Sequence, residues 1–382
     1  LSSKNVKEKL FMPSKETFLC HVKKYRLARG WSQDELAQHV GVRRQAVYDI
    51  ESGRYLPNTA VAIRLARTFD CKVEDLFVEQ TQIDTQPVHL IGGKSKASTR
   101  LALGLVRDNL VGIPLQGRES IPFCLRSADG LLARDGKNVQ ILASANRLDR
   151  TIILMGCDPA FEILSQHIAR KAANTQVHCR FASSVNALNY LGDGVIHVAG
   201  THLHNTSKKE SNVVMAGKKI TAMGGYILGF SLLEEGLMVA NGNPLGIRNS
   251  ADLAQPMVRF VNREPGAALR ILLDDHLKKA GIDTNVVNGY ANEVFSHGEG
   301  AYRIACNVAD AALGLRVIAE AYNLGFVPMA VARCDLVIPA DLNTHPTIKI
   351  LLDVLQSSLL RKEIDAIPGY EGSVTGKTIA KL

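Results

Sequence analysis

The stretch Ser32–Ser52, SQDELAQHVGVRRQAVYDIES, reads as helix, tight turn, helix. Ser32 can accept a bond from the free N–H groups of a helix start, and Glu35 three residues on completes a capping box. Leu36, Ala37 and Val40 form one apolar stripe, with Ala37 small enough to let a second helix cross closely. Gly41 supplies the positive φ that a sharp turn needs. Val47 and Ile50, at i and i+3, anchor the second helix by its inner face. Arg43, Arg44, Gln45, Tyr48 and Asp49 remain on the outer face. Such side chains suit phosphates and base edges, Arg pairing best with guanine and Gln with adenine.

Working outward, Arg26, Ser32-Gln33, Leu36-Ala37, Gly41, Ile50-Glu51 and the run from Gly53 to Pro57 fall at fixed spacings. This pattern resembles the helix-turn-helix of the Xre and phage-repressor family, over about residues 18–77. The resemblance implies an ion pair of Arg26 with Glu51, a phosphate contact from Gln33, and Arg43, Arg44, Gln45 and Tyr48 facing the major groove. Ser32 and Arg54 complete the expected DNA surface. A homodimer on double-stranded DNA is expected, because such heads bind paired half-sites about 34–36 Å apart.

The chain of 382 residues carries a net charge of +8, and residues 1–80 hold half of that excess, 14 Lys+Arg against 10 Asp+Glu. That is the electrostatic footprint a DNA-binding head requires. Seven cysteines, at 20, 71, 124, 157, 179, 306 and 334, form no C-x-x-C pair. Their scatter excludes a zinc ribbon and a disulfide framework and points to a reducing, cytoplasmic setting. No run of about 18 apolar residues offers a membrane span, and no export signal is visible. Met12 is read as the start of the protein and residues 1–15 as a disordered leader.

The fold class expected is multidomain. An all-α helix-turn-helix head over residues 16–78 has helix one from Glu16 to Arg29. A fourth helix begins at Pro57-Asn58-Thr59 with Val61, Ile63, Leu65 and Ala66 inside, and a fifth short helix spans Val73–Phe77. Residues 79–87 read as a linker. Residues 88–150 read as a small β-rich connector with strands at Arg100–Val106, Leu110–Leu115 and Val139–Ala143. Ala128-Asp129-Gly130 and Asn146–Arg150 are assigned no chemistry.

From Thr151 apolar strands alternate with helical runs, implying a parallel sheet covered by helices. Strands are expected at Thr151–Gly156, Val177–Phe181 and Val195–Ala199, and later at Leu237–Ala240, Val258–Val261, Ala311–Leu313 and Leu336–Pro339. Helices are expected after Asp158-Pro159 and Ser183-Ser184, and over Ser250–Ala254, Gly266–Ala280, Arg316–Leu324, Pro346–Leu355 and Ser358–Ile367. A bilobed α/β clamshell over residues 151–382 accommodates them.

Gly236–Gly281, together with Gly156–Ala160, His197–Gly200, Val261–Gly266, Ser296-His297, Ala309-Asp310, Leu313-Gly314 and Asp335–Pro339, gives this region a recognisable signature. It resembles type II periplasmic-binding proteins, particularly those for molybdate. It is more similar to the cytoplasmic binding-protein-like domain attached to helix-turn-helix regulators and molybdopterin-biosynthesis proteins.

Ligands of such sheets bind beyond the C-terminal ends of strands, where helix N-termini offer bare N–H groups to an anion. The candidate ligand residues are Asp158, Ser183, Ser184, Thr201, His202, Asn262, Arg263, Glu264, Gly266, Arg270 and Asp310. Ser183 and Ser184 are the best oxyanion contacts, a role compatible with N-capping. Asp158 repels an anion unless it points away or caps its own helix. Arg270 serves either the ligand or an ion pair with Asp274 at i+4. Ala267, Ala268 and Leu269 stand where the resembled family has hydroxyls, which admits a larger or partly apolar ligand.

No cofactor, no catalytic residue and no metal is expected. His197, His202 and His204 lack acidic or thiol partners at matching spacing, and His197 reads as core. Cys157 reads as small buried packing, and Gly92–Ser95 lacks the spacing of a phosphate loop. The expected function is a one-component regulator that binds operator DNA and senses an oxyanion such as molybdate or tungstate, or a molybdopterin-related metabolite. The alternatives are a molybdenum-cofactor biosynthesis enzyme with an accessory DNA-binding head, or a DNA-binding protein whose clamshell is a ligand-free dimer platform.

Overall fold

The computed structural model describes residues 17–80, 85–116, 126–205, 210–220 and 223–382. Met12 and the leader lie outside these residues, as do 81–84 of the linker. The chain divides into two compact units, residues 1–85 and 86–382.

In the first unit, strand β1 (Thr17–Cys20) precedes helices α1 (Val22–Ala28), α2 (Gln33–Val40), α3 (Arg44–Glu51), α4 (Thr59–Phe69) and α5 (Val73–Leu76), and β2 (Phe77–Gln80) follows. Leu36, Val40, Val47, Ile50, Leu65, Phe69 and Leu76 make one core. Helix one therefore does not begin at Glu16. Thr17–Cys20 pairs antiparallel with Phe77–Gln80, in the register Thr17↔Gln80 and Cys20↔Phe77. Both segments carry aromatic and branched residues that favour a pleated surface, so the ends of the bundle close as a two-stranded ribbon. Ile63, read as a core position of α4, is 39% exposed; Ala62 and Phe69 take the inner face instead.

The second unit opens with a six-stranded sheet. Its strands are β3 (Thr85–Pro87), β4 (His89–Leu90), β5 (Arg100–Val106), β6 (Asn109–Pro114), β7 (Gly130–Leu132) and β8 (Asn138–Ile141), in the order β3-β8-β7-β5-β6-β4. The three strands expected here are present as β5, β6 and β8. Ala102, Val106, Val111 and Ile113 share a core with Ile153, Met155 and Leu188 of the following sheet. Asp129 locks the two sheets together: its buried carboxylate accepts from Leu103 N at 3.1 Å and contacts His178 Nε2 at 2.8 Å.

After the short α6 (Ala145–Leu148) come β9 (Thr151–Gly156), α7 (Phe161–Lys171), β10 (Gln176–Phe181), α8 (Ser184–Gly192), β11 (Val198–Thr201), α9 (Ser211–Ile220) and β12 (Gly225–Val239). Next are β13 (Phe260–Arg263), α10 (Ala268–Lys279), β14 (Glu293–Val294), α11 (His297–Ala305), β15 (Ala311–Leu315), α12 (Arg316–Ala321) and β16 (Gly325–Pro339). Helices α13 (Pro346–Leu355) and α14 (Ser358–Asp365) and strands β17 (Tyr370–Glu371) and β18 (Thr378–Lys381) complete the chain. Ser250–Ala254 is a 3₁₀ helix.

The large sheet runs β10-β9-β11-β16-β12-β15-β13-β14. Lobe one is built on β9–β11 and lobe two on β13–β15. The sequence reading placed short strands at Leu237–Ala240 and Leu336–Pro339. These are the ends of β12 and β16, two 15-residue antiparallel partners that pass through both lobes. The earlier half of β12 lacks strict alternation because both faces are covered, whereas that of β16 is only partly buried, with Pro328 and Val331 exposed. The pairing is irregular at Gly229/Ser231 and Glu235/Gly236, and such irregularities bend a strand locally. The second falls where β12 leaves lobe one for its pairing with β15, which begins at Glu235↔Leu315.

Candidate functional site

Two surfaces carry chemistry. On the head, Ser32 Oγ accepts from Glu35 N at 3.2 Å while Ser32 N donates to Glu35 Oε2 at 2.6 Å, the reciprocal cap expected. Gly41 closes α2 at φ +66°, in the left-handed region where a side chain is strained. Arg26 Nε donates to Glu51 Oε1 at 2.6 Å, with both side chains more than nine-tenths buried. Gln33 Nε2 also donates to Glu51, at 3.0 Å, so in this structure the Gln33 side chain faces the internal ion pair. Arg43 is the N-cap residue of α3, and Arg43, Arg44, Gln45 and Tyr48 are exposed beside it. Arg44 lies 3.6 Å from Asp34, with about two thirds of each side chain in solvent. Asp49 accepts from Gln45 and Arg54, and the Arg54 guanidinium stands 5.2 Å over the Tyr48 ring.

In the second unit, two helix starts from opposite lobes meet. Ser183 N-caps α8, its hydroxyl accepting from Asn186 N at 3.4 Å. The first N–H groups of α8, at Ser184 and Val185, have no acceptor within the helix. Helix α10 follows Gly266 at φ +87° and starts behind Ala267, which has no side-chain cap. The first N–H groups of that helix, at Ala268 and Leu269, are likewise without an intrahelical acceptor. Cys157, Ser183, Ser184, His202, Arg263, Ala267, Ala268, Leu269 and His297 line one cleft, with about 10 Å³ of free volume, close to the room one water needs.

Charges inside the cleft pair off. Arg263 donates from Nε and Nη2 to the Glu264 carboxylate at 2.8 and 2.9 Å. Cys157 Sγ lies 3.3 Å from His202 Nδ1. Glu235, wholly buried, stands 3.2 Å from His202 Nε2 and 2.7 Å from His204 Nε2, and neither contact is aligned as a hydrogen bond. Burial disfavours charge on His202, but Cys157, Glu235 and Asp158 outweigh it and raise its pKa to about 10. Burial and Arg263 hold His297 well below the ordinary histidine value. The remaining attraction for an anion comes from the two helix starts, each equivalent to roughly half a positive charge.

Of the eleven residues read as ligand-binding, Ser183, Ser184, His202 and Arg263 line this cleft. Asp158 borders the larger cavity beside it. It caps its own helix turn, accepting from Ala160 N at 2.9 Å, Ser231 Oγ at 2.9 Å and Tyr370 Oη at 2.8 Å; burial raises its pKa. Glu264 clamps Arg263, and Gly266 forms the turn into α10. Asn262 is buried beneath, donating to Tyr290 O at 3.1 Å. Three others point elsewhere. Thr201 donates to Asn212 Oδ1 at 3.1 Å. Arg270 pairs with Glu293 at 2.7 Å, whereas Asp274, the partner expected at i+4, accepts from Tyr290 Oη at 2.6 Å. Asp310 is held by Arg259 at 2.8 Å. Because β15 runs parallel to β13 with Ala311 beside Phe260, Asp310 sits at the end of the sheet away from Arg263.

The sequence reading took Cys157 as buried packing, in keeping with its 8% exposure, weighed His204 only as a metal ligand, and missed Glu235 and His297. His297 was visible as part of the Ser296-His297 mark. Glu235 had one weaker signal, an acidic pair inside the apolar run LLEEGLMV. His197 behaves as read: it is fully buried, its Nδ1 accepts from Ile153 N at 3.0 Å, and burial lowers its pKa to about 3. Among the described residues, no group of three or more His, Cys, Asp or Glu is arranged to hold a metal ion, and no helix is long and apolar enough to cross a membrane.

Residues 165–356, half of the chain, match the PBP superfamily domain. The chain belongs to the PBP superfamily. Residues 22–76 match the helix-turn-helix family, so a helix-turn-helix head is fused to a PBP-superfamily domain. An uncharacterized protein of Bacillus subtilis, YvgK, is 27% identical over 60% of this chain and 73% of its own length. An uncharacterized HTH-type transcriptional regulator of Archaeoglobus fulgidus is 40% identical over 15% of this chain and 81% of its own. Among solved structures, PEB3 of Campylobacter jejuni aligns with 58% of this chain and 99% of its own at 17% identity and a TM-score of 0.41.

Proposed function

We propose that this PBP-superfamily protein is a one-component, cytoplasmic transcription regulator. Its head binds operator DNA as a homodimer, and its cleft senses a small anion. The observation that carries the ligand half is the convergence of two helix starts, from opposite lobes, on a cleft that also holds Arg263 and His202. Bare N–H groups aimed at one point bind negative charge without a net cation. The ligand is an inorganic oxyanion such as molybdate or tungstate, or an organic anion such as a molybdopterin-related metabolite. An anion that bridges the lobes favours the closed arrangement by its contacts to both and so shifts the population of the regulator.

Thermal unfolding with molybdate, tungstate, sulfate and phosphate tests this. A ligand specific for the folded form, at a hundred times its dissociation constant, stabilises by about 2.7 kcal/mol. A shift for one class of anion, lost in Arg263→Ala, supports the reading. Absence of any shift with these and with organic anions removes it.

The contact of Cys157 with His202, and of His202 with Glu235, favours a second reading, because a thiol, an imidazole and a carboxylate in series form the arrangement used in nucleophilic catalysis. Turnover of a molybdenum-cofactor precursor by the wild-type protein, abolished in Cys157→Ala, would replace the sensor with an enzyme.

A further inference from the structure

The anion cleft is not closed on all sides. Through Cys157 and His297, which line both, it adjoins a cavity of about 390 Å³ between the lobes. That volume lies in the range of organic-ligand pockets, whereas the space at the helix starts is about 10 Å³. Most of the room therefore lies beside the anion donors. The larger cavity presents Phe161, Phe181, Ile318 and Pro159, with Gly156 and Gly298 leaving open backbone. Of its charged lining residues, Glu162 and Arg126 neutralise each other at 2.6 Å, Asp158 is held by three donors, and Arg180 donates to Pro114 O at 3.3 Å.

The Phe161 ring is placed by two glycines. A Cβ on Gly200 would lie 2.2 Å from its Cζ, and one on Gly156 would lie 2.6 Å from its Cε2. The Phe181 ring lines the larger cavity, with the Arg263 guanidinium 5.3 Å over its face and the His297 ring 6.3 Å away edge-on. Ala268 and Leu269 offer backbone N–H groups, the Ala267 N–H being taken by Glu264 O at 3.2 Å, and none of the three carries a hydroxyl, so the donors on that side suit one charged group rather than a shell around four oxygens.

We infer that the ligand is an organic anion: its charged group sits against the starts of α8 and α10, and an apolar, ring-sized body fills the cavity lined by Phe161, Phe181 and Ile318. This rests on the anion-sensing reading and narrows it to a ligand class.

Two probe pairs decide it with the full chain in titration calorimetry: phosphate against phenyl phosphate, and acetate against benzoate. In the pair that binds, the ring-bearing member is expected to bind about ten- to a hundred-fold tighter, the gain of burying a phenyl-sized group. Gly298→Leu adds a bulky side chain at a residue that lines the cavity. A Cβ there meets only Tyr322 Oη, at 3.9 Å, and leucine favours a helix more than glycine does, so this variant folds. It is expected to reduce the ring's advantage to under about threefold, since the burial that produces it is gone. Equal binding of both members of each pair, or an advantage that survives in Gly298→Leu, overturns the inference while leaving anion sensing in place. Binding by no member of either pair overturns the inference, and together with no response to molybdate, tungstate or sulfate it overturns the anion reading as well.

Discussion

The recognition face of the head and the cleft of the second unit both use arginine, yet they hold it in opposite ways. Arg44 is mostly in solvent with a loose acidic neighbour at 3.6 Å. Arg263 is 97% buried and gripped by Glu264 through two bonds. A polyanion such as DNA is attracted by exposed charge that releases counterions, so the head leaves its cations free to move. A small ligand must be selected by shape, so the cleft neutralises its own charges and presents backbone N–H groups in fixed positions. Mobility serves the first surface and rigidity the second.

Four experiments sharpen or break this contrast. Glu51→Ala extends the buried type of arginine to the head. It strands Arg26 among α1, α2 and α3 and is expected to cost about 3–5 kcal/mol, read as a loss of head stability in denaturant unfolding.

The pH response of His202 comes next. Its folded pKa of about 10 lies above the ordinary value of 6.5, so the stability it contributes is complete below about pH 6.5 and is lost as pH rises toward 10, by order of a few kcal/mol. The stability difference between wild type and His202→Gln, followed by thermal unfolding, should shrink over that window. His197, lowered to about 3, acts in the other direction: its contribution is present above about 6.5 and fades as pH falls.

Arg263→Ala should abolish the anion-induced stabilisation of about 2.7 kcal/mol. It should also destabilise the unliganded protein, because Glu264 loses its partner. Arg44→Ala should weaken operator binding by about 1–3 kcal/mol in fluorescence anisotropy, while stability stays within about 0.5 kcal/mol. Comparable stability losses in Arg44→Ala and Arg263→Ala would erase the contrast.

The same contrast explains what could be read from the chain. The head is local: the capping box, the Gly41 turn and the Val47/Ile50 anchor lie within 21 consecutive residues, and each has a fixed spacing. Its closing ribbon escaped, because Thr17–Cys20 has no partner until Phe77–Gln80 returns, and so did the exposure of Ile63 and the turn of Gln33 toward Glu51. In the second unit the strand–helix rhythm was legible, but the cleft draws on Cys157, Ser183-Ser184, His202, Arg263–Leu269 and His297, which no local pattern joins. Glu235 reaches His202 by virtue of β12, whose first half was not read as strand, and the partner of Arg270 came from β14 rather than from its own helix. Cys157 was read as packing, and the imidazole beside it, His202, stands 45 residues away.

The central claim is that occupancy of the cleft changes DNA binding. Its direct test is the affinity of the full chain for a DNA site selected from a random pool, measured by anisotropy with and without an anion already shown to bind. Coupling of about 1–3 kcal/mol, a shift of roughly 5- to 150-fold, is the predicted result, and it should vanish in Arg263→Ala. An affinity for DNA that stays the same with the cleft filled and empty would contradict the account.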